Sequence, residues 1–351
     1  MAASRRERKI VLWRNWLLVL LAACTATRAQ APNIQNLLRR AQAAQDAGDY
    51  AGAADEFERA RRIAPDSLAA NRGLLLSTLE MGHLAEAVEI GRQAVARWPQ
   101  DAQLQHWLGL AYFKAGQNGP ALAALEQSEA LDGSSFDIHF DLALLLLQQS
   151  QYSPAAVELE KAIPLQPSHA LAHVLLGRAY QNTNRTLQAI EQFQTALRLD
   201  PAITLGHYHL GFAYASLGRN SEAIAEYEKE LLRSPESLHA LYQLSHCLVE
   251  AGQWREAATH LQKAAQLDPA NADVAYDLGK ALLLGGDAQA AVPALQRSIA
   301  LKPADPSPHY QLARALEKLG QKDQAQREWQ RFAELKKAQP EVGGMATGRP
   351  Q

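Results

Sequence analysis

A 34-residue period runs from Ile34 to Gln339 nine times in succession, with no insertion anywhere. A period of that length constrains the fold more tightly than composition can, because equal-length units must fold as a stack of equivalent supersecondary pieces. Numbering each unit from 1, position 20 is alanine in all nine: Ala53, Ala87, Ala121, Ala155, Ala189, Ala223, Ala257, Ala291 and Ala325. Position 7 is leucine in eight, from Leu74 through Leu312, with Arg40 in the first. Position 15 is glycine except at Ser150 and Asn184, and position 32 is proline in seven units, with Gly133 and Lys337 departing.

Each recurring residue has a physical task. Glycine at 15, or asparagine in its place, admits the left-handed backbone that ends one helix and turns the chain. Proline at 32 has no amide hydrogen to donate and ends a second helix. Alanine at 20 and a small residue at 8, such as Gly109, Gly177, Gly211 and Gly279, let the two helices approach closely, while leucine at 7 and larger residues at 11 and 24 fill the remaining space. The unit is therefore a helical hairpin with one apolar seam. Alanine, leucine, glutamine, glutamate and arginine dominate and β-branched residues are sparse, so almost no sheet is expected.

The fifth unit reads His173, Leu176, Gly177, Tyr180, Ala189, Phe193, Pro201, and the sixth His207, Leu210, Gly211, Tyr214, Ala223, Tyr227, Pro235. That spacing resembles the tetratricopeptide repeat, whose pattern runs W-x2-L-G-x2-Y, A-x3-F, P over 34 residues. Tryptophan never stands at position 4, where His139, His173, His207 and His309 are found instead. The resemblance implies an all-α fold, a tandem helix-turn-helix solenoid wound as a right-handed superhelix with an open concave groove. It also implies that each repeat touches only its neighbours and that the ends are the weak points.

Prolines inside the units test this layout. Pro120 and Pro154 fall at position 19, in the first turn of a second helix, where the missing donor costs nothing. Pro293, at position 22, predicts a late helix start or a kink. The final helix, from about Asp323 to Lys337, intersperses charged residues with Trp329 and Phe332 as a solvent-facing cap would, and residues 340–351 read as a disordered tail.

The first thirty residues read as an export signal: a basic stretch from Arg5 to Lys9, an apolar core from Trp16 to Ala23, then small residues. That core is far shorter than the roughly 20 residues a spanning helix needs, which makes an uncleaved membrane anchor the weaker reading. Two processing sites compete. Cleavage after Thr27-Arg28-Ala29 would remove residues 1–29 and release a soluble protein, whereas Leu21-Ala22-Ala23-Cys24 resembles a bacterial lipobox, which would remove residues 1–23 and leave a lipidated Cys24 attached to a membrane. Both place the body outside the cytoplasm, in the periplasm or at the outer membrane of a bacterium.

Six of the 35 basic residues but only one of the 37 acidic ones precede residue 30, so the chain from Gln30 onward carries a net charge of −7. Such a body has no general attraction to phosphate backbones, and nucleic acid is not an expected partner. Cys24 and Cys247 are the two cysteines, and Cys247 falls within a predicted helix, where a buried thiol behaves as a small apolar group. No phosphate loop, metalloprotease motif, paired CxxC or nucleophile elbow occurs, so neither an enzyme nor a bound cofactor is expected. The position-4 histidines are a whole repeat apart, about 8–10 Å, too far to share one ion; no metal is expected, and packing or surface roles suit them better.

The informative set lies on the first helix, about 100° from the seam, at positions 2, 5, 9 and 12. By resemblance these line the concave groove. Position 5 carries Tyr208, Tyr242, Tyr276 and Tyr310 in four successive units, with Phe140 and His106 further back. Trp107, Phe113, Leu144, Leu147 and Phe212 add apolar area, and Arg178, His246, Lys280 and Arg314 at position 9 supply donors and positive charge. Two readings stand side by side: the tyrosines recognise a peptide, or they hold the stack together by touching the next first helix. The family's carboxylate clamp needs lysine and asparagine at set positions in three successive repeats, and no three here supply them. The functional expectation is a non-enzymatic scaffold that binds a peptide or protein along its groove. The alternative is a periplasmic component of polysaccharide export or secretion, with a glycan on the aromatic wall.

Overall fold

The computed structural model describes residues 34–338; the expected export signal, Cys24 and the tail 340–351 lie outside the described residues. Eighteen helices and no strand occur among the described residues. The first helices of the nine repeats are α1 (Ile34–Asp46), α3 (Leu68–Glu80), α5 (Ala102–Lys114), α7 (Phe136–Gln148), α9 (Ala170–Asn182), α11 (Gly206–Ser216), α13 (Leu238–Glu250), α15 (Ala272–Leu284) and α17 (Pro306–Lys318). The second helices are α2 (Tyr50–Ile63), α4 (Leu84–Arg97), α6 (Asn118–Leu131), α8 (Tyr152–Leu165), α10 (Thr186–Leu199), α12 (Asn220–Arg233), α14 (Trp254–Leu267), α16 (Ala288–Leu301) and α18 (Lys322–Ala338). The chain divides into two compact units, one ending at Gln149 and the other beginning at Ser150. The first holds three complete hairpins and α7; the second holds α8 and five complete hairpins.

All nine position-15 residues have positive φ, from 59° at Ser150 and 60° at Asn184 to 95° at Gly286. The left-handed turn therefore recurs in every hairpin, set locally by glycine and by Asn184, and adopted by Ser150 within the same hairpin geometry. Around Gly48 the turn closes with the Gly48 N–H on the Gln45 carbonyl and the Asp49 N–H on the Ala44 carbonyl, at 3.0 and 2.8 Å. Most first helices begin at a side-chain cap: Ser67, Asp101, Ser237, Asn271 and Asp305, at position 34 of the preceding repeat, each accept from a first-turn backbone N–H.

The seam is packed by complementary size. A Cβ added at Gly177 would lie 2.5 Å from the Phe193 ring, and one at Gly211 would lie 3.0 Å from the Tyr227 ring, so the glycine at position 8 exists to admit the aromatic at position 24. The second repeat inverts the pair: Leu75 fills position 8, and position 24 is Gly91, whose added Cβ would meet Leu75 at 3.4 Å and Leu108 at 2.9 Å. The position-20 alanines are all buried. Arg40, the exception at position 7, pairs with Glu56 on its own second helix.

The polar residues at position 4 do more than fill space. Asn71, Gln105, His139 and His173 each reach the carbonyl at position 32 of the preceding repeat, at Pro65, Pro99, Gly133 and Pro167, across 3.1, 3.4, 3.1 and 3.0 Å. In these four repeats the turn carbonyl that follows a second helix is satisfied this way, which an indole at that position could do only through its single N–H. The Nδ1 atoms of His173, His207 and His309 meet Gln192, Glu226 and Glu328 at position 23 of the same repeat, at 2.8, 2.6 and 2.6 Å. His173 thus links the inter-repeat turn to the hairpin, while His207 and His309 join the two helices of their own repeats, in line with a packing role.

Two details depart from the simple period. α16 starts at Ala288, in register with the other second helices, and continues through Pro293, so the late start expected from that proline does not occur. Pro293 is solvent-exposed, and the one carbonyl that loses its intrahelical donor can be hydrated. The late start belongs to α11 instead: Ile203 replaces the capping residue at position 34, and the helix begins two positions late, after Leu205 in the left-handed region at φ 59°. The buried Glu230 carboxylate on α12 accepts from the Tyr208 backbone N–H at 3.3 Å, supplying from across the hairpin the cap that Ile203 cannot.

Candidate functional site

The groove residues singled out from the sequence fall in both units, and their surroundings differ from one to the next. Trp107 is partly buried against the core of the first unit, and Phe140 stacks on Phe136 of its own helix at 5.2 Å. In the second unit the tyrosines divide by what their hydroxyls do. The Tyr242 hydroxyl donates to Asp277 Oδ2 at 2.9 Å, and Tyr276 is hydrogen-bonded to Gln311. Both bonds run from position 5 of one repeat to position 6 of the next. Burial, reinforced at Tyr242 by the Asp277 carboxylate, holds both phenols above their ordinary value. These two tyrosines tie neighbouring first helices together.

Tyr310 lies in the last repeat, where no further first helix follows among the described residues. Its ring meets Trp329 at 5.1 Å and Phe332 at 5.4 Å, both from α18, and the Arg314 guanidinium lies 5.8 Å from its centroid. The Trp329 indole N–H donates to Glu317 at 2.9 Å. The terminal helix therefore packs its aromatic residues on the Tyr310 ring, which stays 37% exposed.

Tyr208 differs. Its ring is half-buried among His209, Phe212, Tyr227 and His239, with centroids 5.5 to 6.5 Å apart, and burial raises its phenol. No side chain among the described residues bonds its hydroxyl. Together with Arg178, Gln181, Asn184, His209 and Phe212 it walls a recess of about 460 Å³ between α9, the turn after it and α11. Three sequence-chosen residues, Arg178, Tyr208 and Phe212, thus converge here. His209 stacks on Phe193 at 5.5 Å, and burial, aided by the charge of Arg178, pushes its imidazole down to about 4, so it is neutral at pH 7.

A second, smaller recess of about 220 Å³ is bounded by His246, Val249, Glu250, Asp277 and Lys280. It gathers two more of the sequence-chosen residues, but Asp277 already engages Tyr242, with His246 Nε2 3.8 Å away. Burial raises the Asp277 carboxyl above its usual range despite the Tyr242 hydroxyl and the charges of His246 and Lys280. This recess is internally compensated, whereas the one beside Tyr208 is not.

Sequence reasoning missed Gln181, Asn184 and His209 as wall residues, and Asp277 as the partner of a tyrosine. Asn184 carried a signal read only as backbone: glycine does the same turn elsewhere, so the carboxamide itself is surplus to the turn. His209 has no such signal, because its neighbours come from the preceding repeat.

Models of the tetratricopeptide repeat match residues 38–102, 174–237 and 242–306, more than half of the chain, and a second such model matches 282–345. Residues 80–162 match the model of anaphase-promoting complex, cyclosome, subunit 3. No curated protein matches. Similar solved structures include MamA (24% identity over 46% of this chain and 95% of that one, TM-score 0.45). YrrB, described as a TPR protein with an unusual peptide-binding site, is 21% identical over 54% of this chain and 97% of its own, TM-score 0.49. TTC0263, a thermophilic TPR protein in Thermus thermophilus, is 24% identical over 52% of this chain and all of its own, TM-score 0.41.

Proposed function

The chain belongs to the tetratricopeptide repeat family, and from that premise we propose that it is a non-enzymatic scaffold that holds a peptide segment of a protein partner against the first helices of its second unit. The observation that carries the reading is the recess beside Tyr208. Of the groove tyrosines there, Tyr242 and Tyr276 are bound to the next repeat and the Tyr310 ring, 37% exposed, packs on Trp329 and Phe332 of α18, while Tyr208 keeps an unengaged hydroxyl inside a recess next to Phe212, also 37% exposed. Aromatic surface with one polar end, set in a concavity, suits recognition of a side chain in an extended segment. Repeats occupy nearly the whole described chain and leave no residues for a separate catalytic domain, which supports a binding role.

The scaffold works outside the cytoplasm. The basic stretch from Arg5 to Lys9, the short apolar core to Ala23 and the small residues after it support export, with release after Ala29 or lipid attachment at Cys24 as the two endings. No helix among the described residues is long and apolar enough to cross a membrane.

A photo-crosslinking residue placed at Phe212 in intact cells tests the binding reading, with Lys263 on α14 as the control position. A protein crosslinked from position 212 and not from 263, with the crosslink mapped to one segment of it, is the expected result. The same products from both positions, or none from 212, would remove the groove from the account. A crosslink to glycan in place of protein would favour polysaccharide export.

A further inference from the structure

We infer that the recess beside Tyr208 takes an acidic side chain, so that the partner segment carries an aspartate or glutamate next to an apolar residue; this rests on the peptide-binding reading above. The wall of the recess contains one guanidinium, three carboxamides, the hydroxyls of Thr186, Tyr208 and Ser216, a histidine and the Phe212 ring, and no carboxylate. That is unusual in this chain, whose body carries seven more acidic than basic residues. A cationic spot without local compensation, set in a negative body, concentrates the field on one place and draws an anionic group to it.

Asn182 Nδ2 and Ser216 Oγ donate to the Arg178 and Phe212 carbonyls at 2.9 and 2.8 Å, but two stronger donors of the wall are unspent. Arg178 has no acidic partner among the described residues, unlike Arg185 on the following turn, which reaches Glu160 at 3.3 Å. Gln181 Nε2 is buried with no hydrogen-bond partner, a donor that costs free energy until an acceptor arrives. His209 is neutral at pH 7, so the positive charge in the recess is that of Arg178 alone and suits a single carboxylate. Charge-assisted bonds from the guanidinium and the Gln181 amide would satisfy both oxygens of that group. Phe212 and the Tyr208 ring would pack beside it on the apolar neighbour.

The second recess makes the contrast. There Asp277 and Glu250 face His246 and Lys280, so both signs are already present. An anion entering it would meet like charge.

The test is fluorescence anisotropy with the full chain and an array of labelled short peptides, identical in apolar context and differing only in a central Asp, Asn or Lys. Aspartate peptides are expected to bind about tenfold more tightly than their asparagine isosteres and to lose that advantage in R178Q, which keeps the planar donor end but no charge. The Y208A variant should weaken both peptides alike, and unchanged circular dichroism of each variant shows that the array stays folded. Equal affinity for Asp and Asn peptides overturns the anion assignment and leaves the peptide scaffold standing. Failure of every peptide in the array to bind overturns both. Displacement of a bound Asp peptide by a uronate oligosaccharide that itself needs Arg178 reassigns the recess to an acidic glycan and also overturns the inference.

Discussion

The Tyr242 hydroxyl donates to Oδ2 of Asp277 across 2.9 Å, joining two residues 35 apart, position 5 of one repeat to position 6 of the next. His106 and Asp141 make the same step in the first unit at 2.7 Å. Removing the hydroxyl in Y242F leaves a largely buried carboxylate short of a donor and should cost about 1–2 kcal/mol, read as faster hydrogen exchange in α13 and α15.

D277N should behave differently. Burial raises the folded carboxyl above its ordinary value of 3.8, so the ionised form is disfavoured in the folded state. That penalty is absent below the unfolded value and develops as pH rises through the raised folded value. The asparagine variant, which still accepts from Tyr242, should therefore match or exceed wild-type stability at neutral pH. The gap should close in acid. Denaturant titrations across the acidic range check the sign.

Tyr227 is fully buried, and its hydroxyl has no hydrogen-bond partner. Phe193 occupies the same position one repeat earlier and packs on Gly177 as Tyr227 packs on Gly211. Y227F should thus stabilise the protein by about 1 kcal/mol, seen as a higher denaturation midpoint. A loss of stability would mean that the hydroxyl has a partner after all.

Gly177 to alanine would place a methyl 2.5 Å from the Phe193 ring. Overpacking of this kind costs about 1–3 kcal/mol, and the F193L substitution in the same chain should recover much of it. Thermal melts of the two single variants and the double variant measure the coupling.

Leu205 sits at φ 59° and is 41% exposed, so its side chain returns little packing for the backbone strain. L205G should raise stability by up to about 1 kcal/mol, since glycine occupies the left-handed region freely but gains entropy when unfolded. Cys247 is 3% exposed, and burial pushes its thiol up to about 11. A thiol reagent at pH 8 should label it only as the array opens, so the labelling rate reports unfolding of the seventh repeat.

Export and the ending at Ala29 or Cys24 rest on residues 1–33, which lie outside the described residues. N-terminal sequencing of the mature protein and metabolic labelling with a fatty-acid analogue decide between the two.

The hairpin turns, the seam and the helix ends were legible in the residues because each is local. A left-handed turn favours glycine or asparagine at one position, a helix end needs proline or a cap, and close approach needs alanine or glycine. Where a residue broke the local rule, as Ile203 does at a capping position, the period alone could not say that Glu230 on another helix would supply the missing acceptor. Four tyrosines at position 5 look equivalent in the sequence. What separates them is what packing brings beside each: Asp277 and Gln311 of the following repeat bond two of them, Trp329 and Phe332 of its own repeat pack on Tyr310, and Tyr208 faces a recess beside Arg178 of the preceding repeat. The sequence alone determined the repeating unit, since backbone preference and side-chain size act within a few residues. Which groove side chains are spent on the stack and which stay available was decided by tertiary contact, because a hydrogen bond forms with whatever group packing brings within about 3 Å, however distant in the chain.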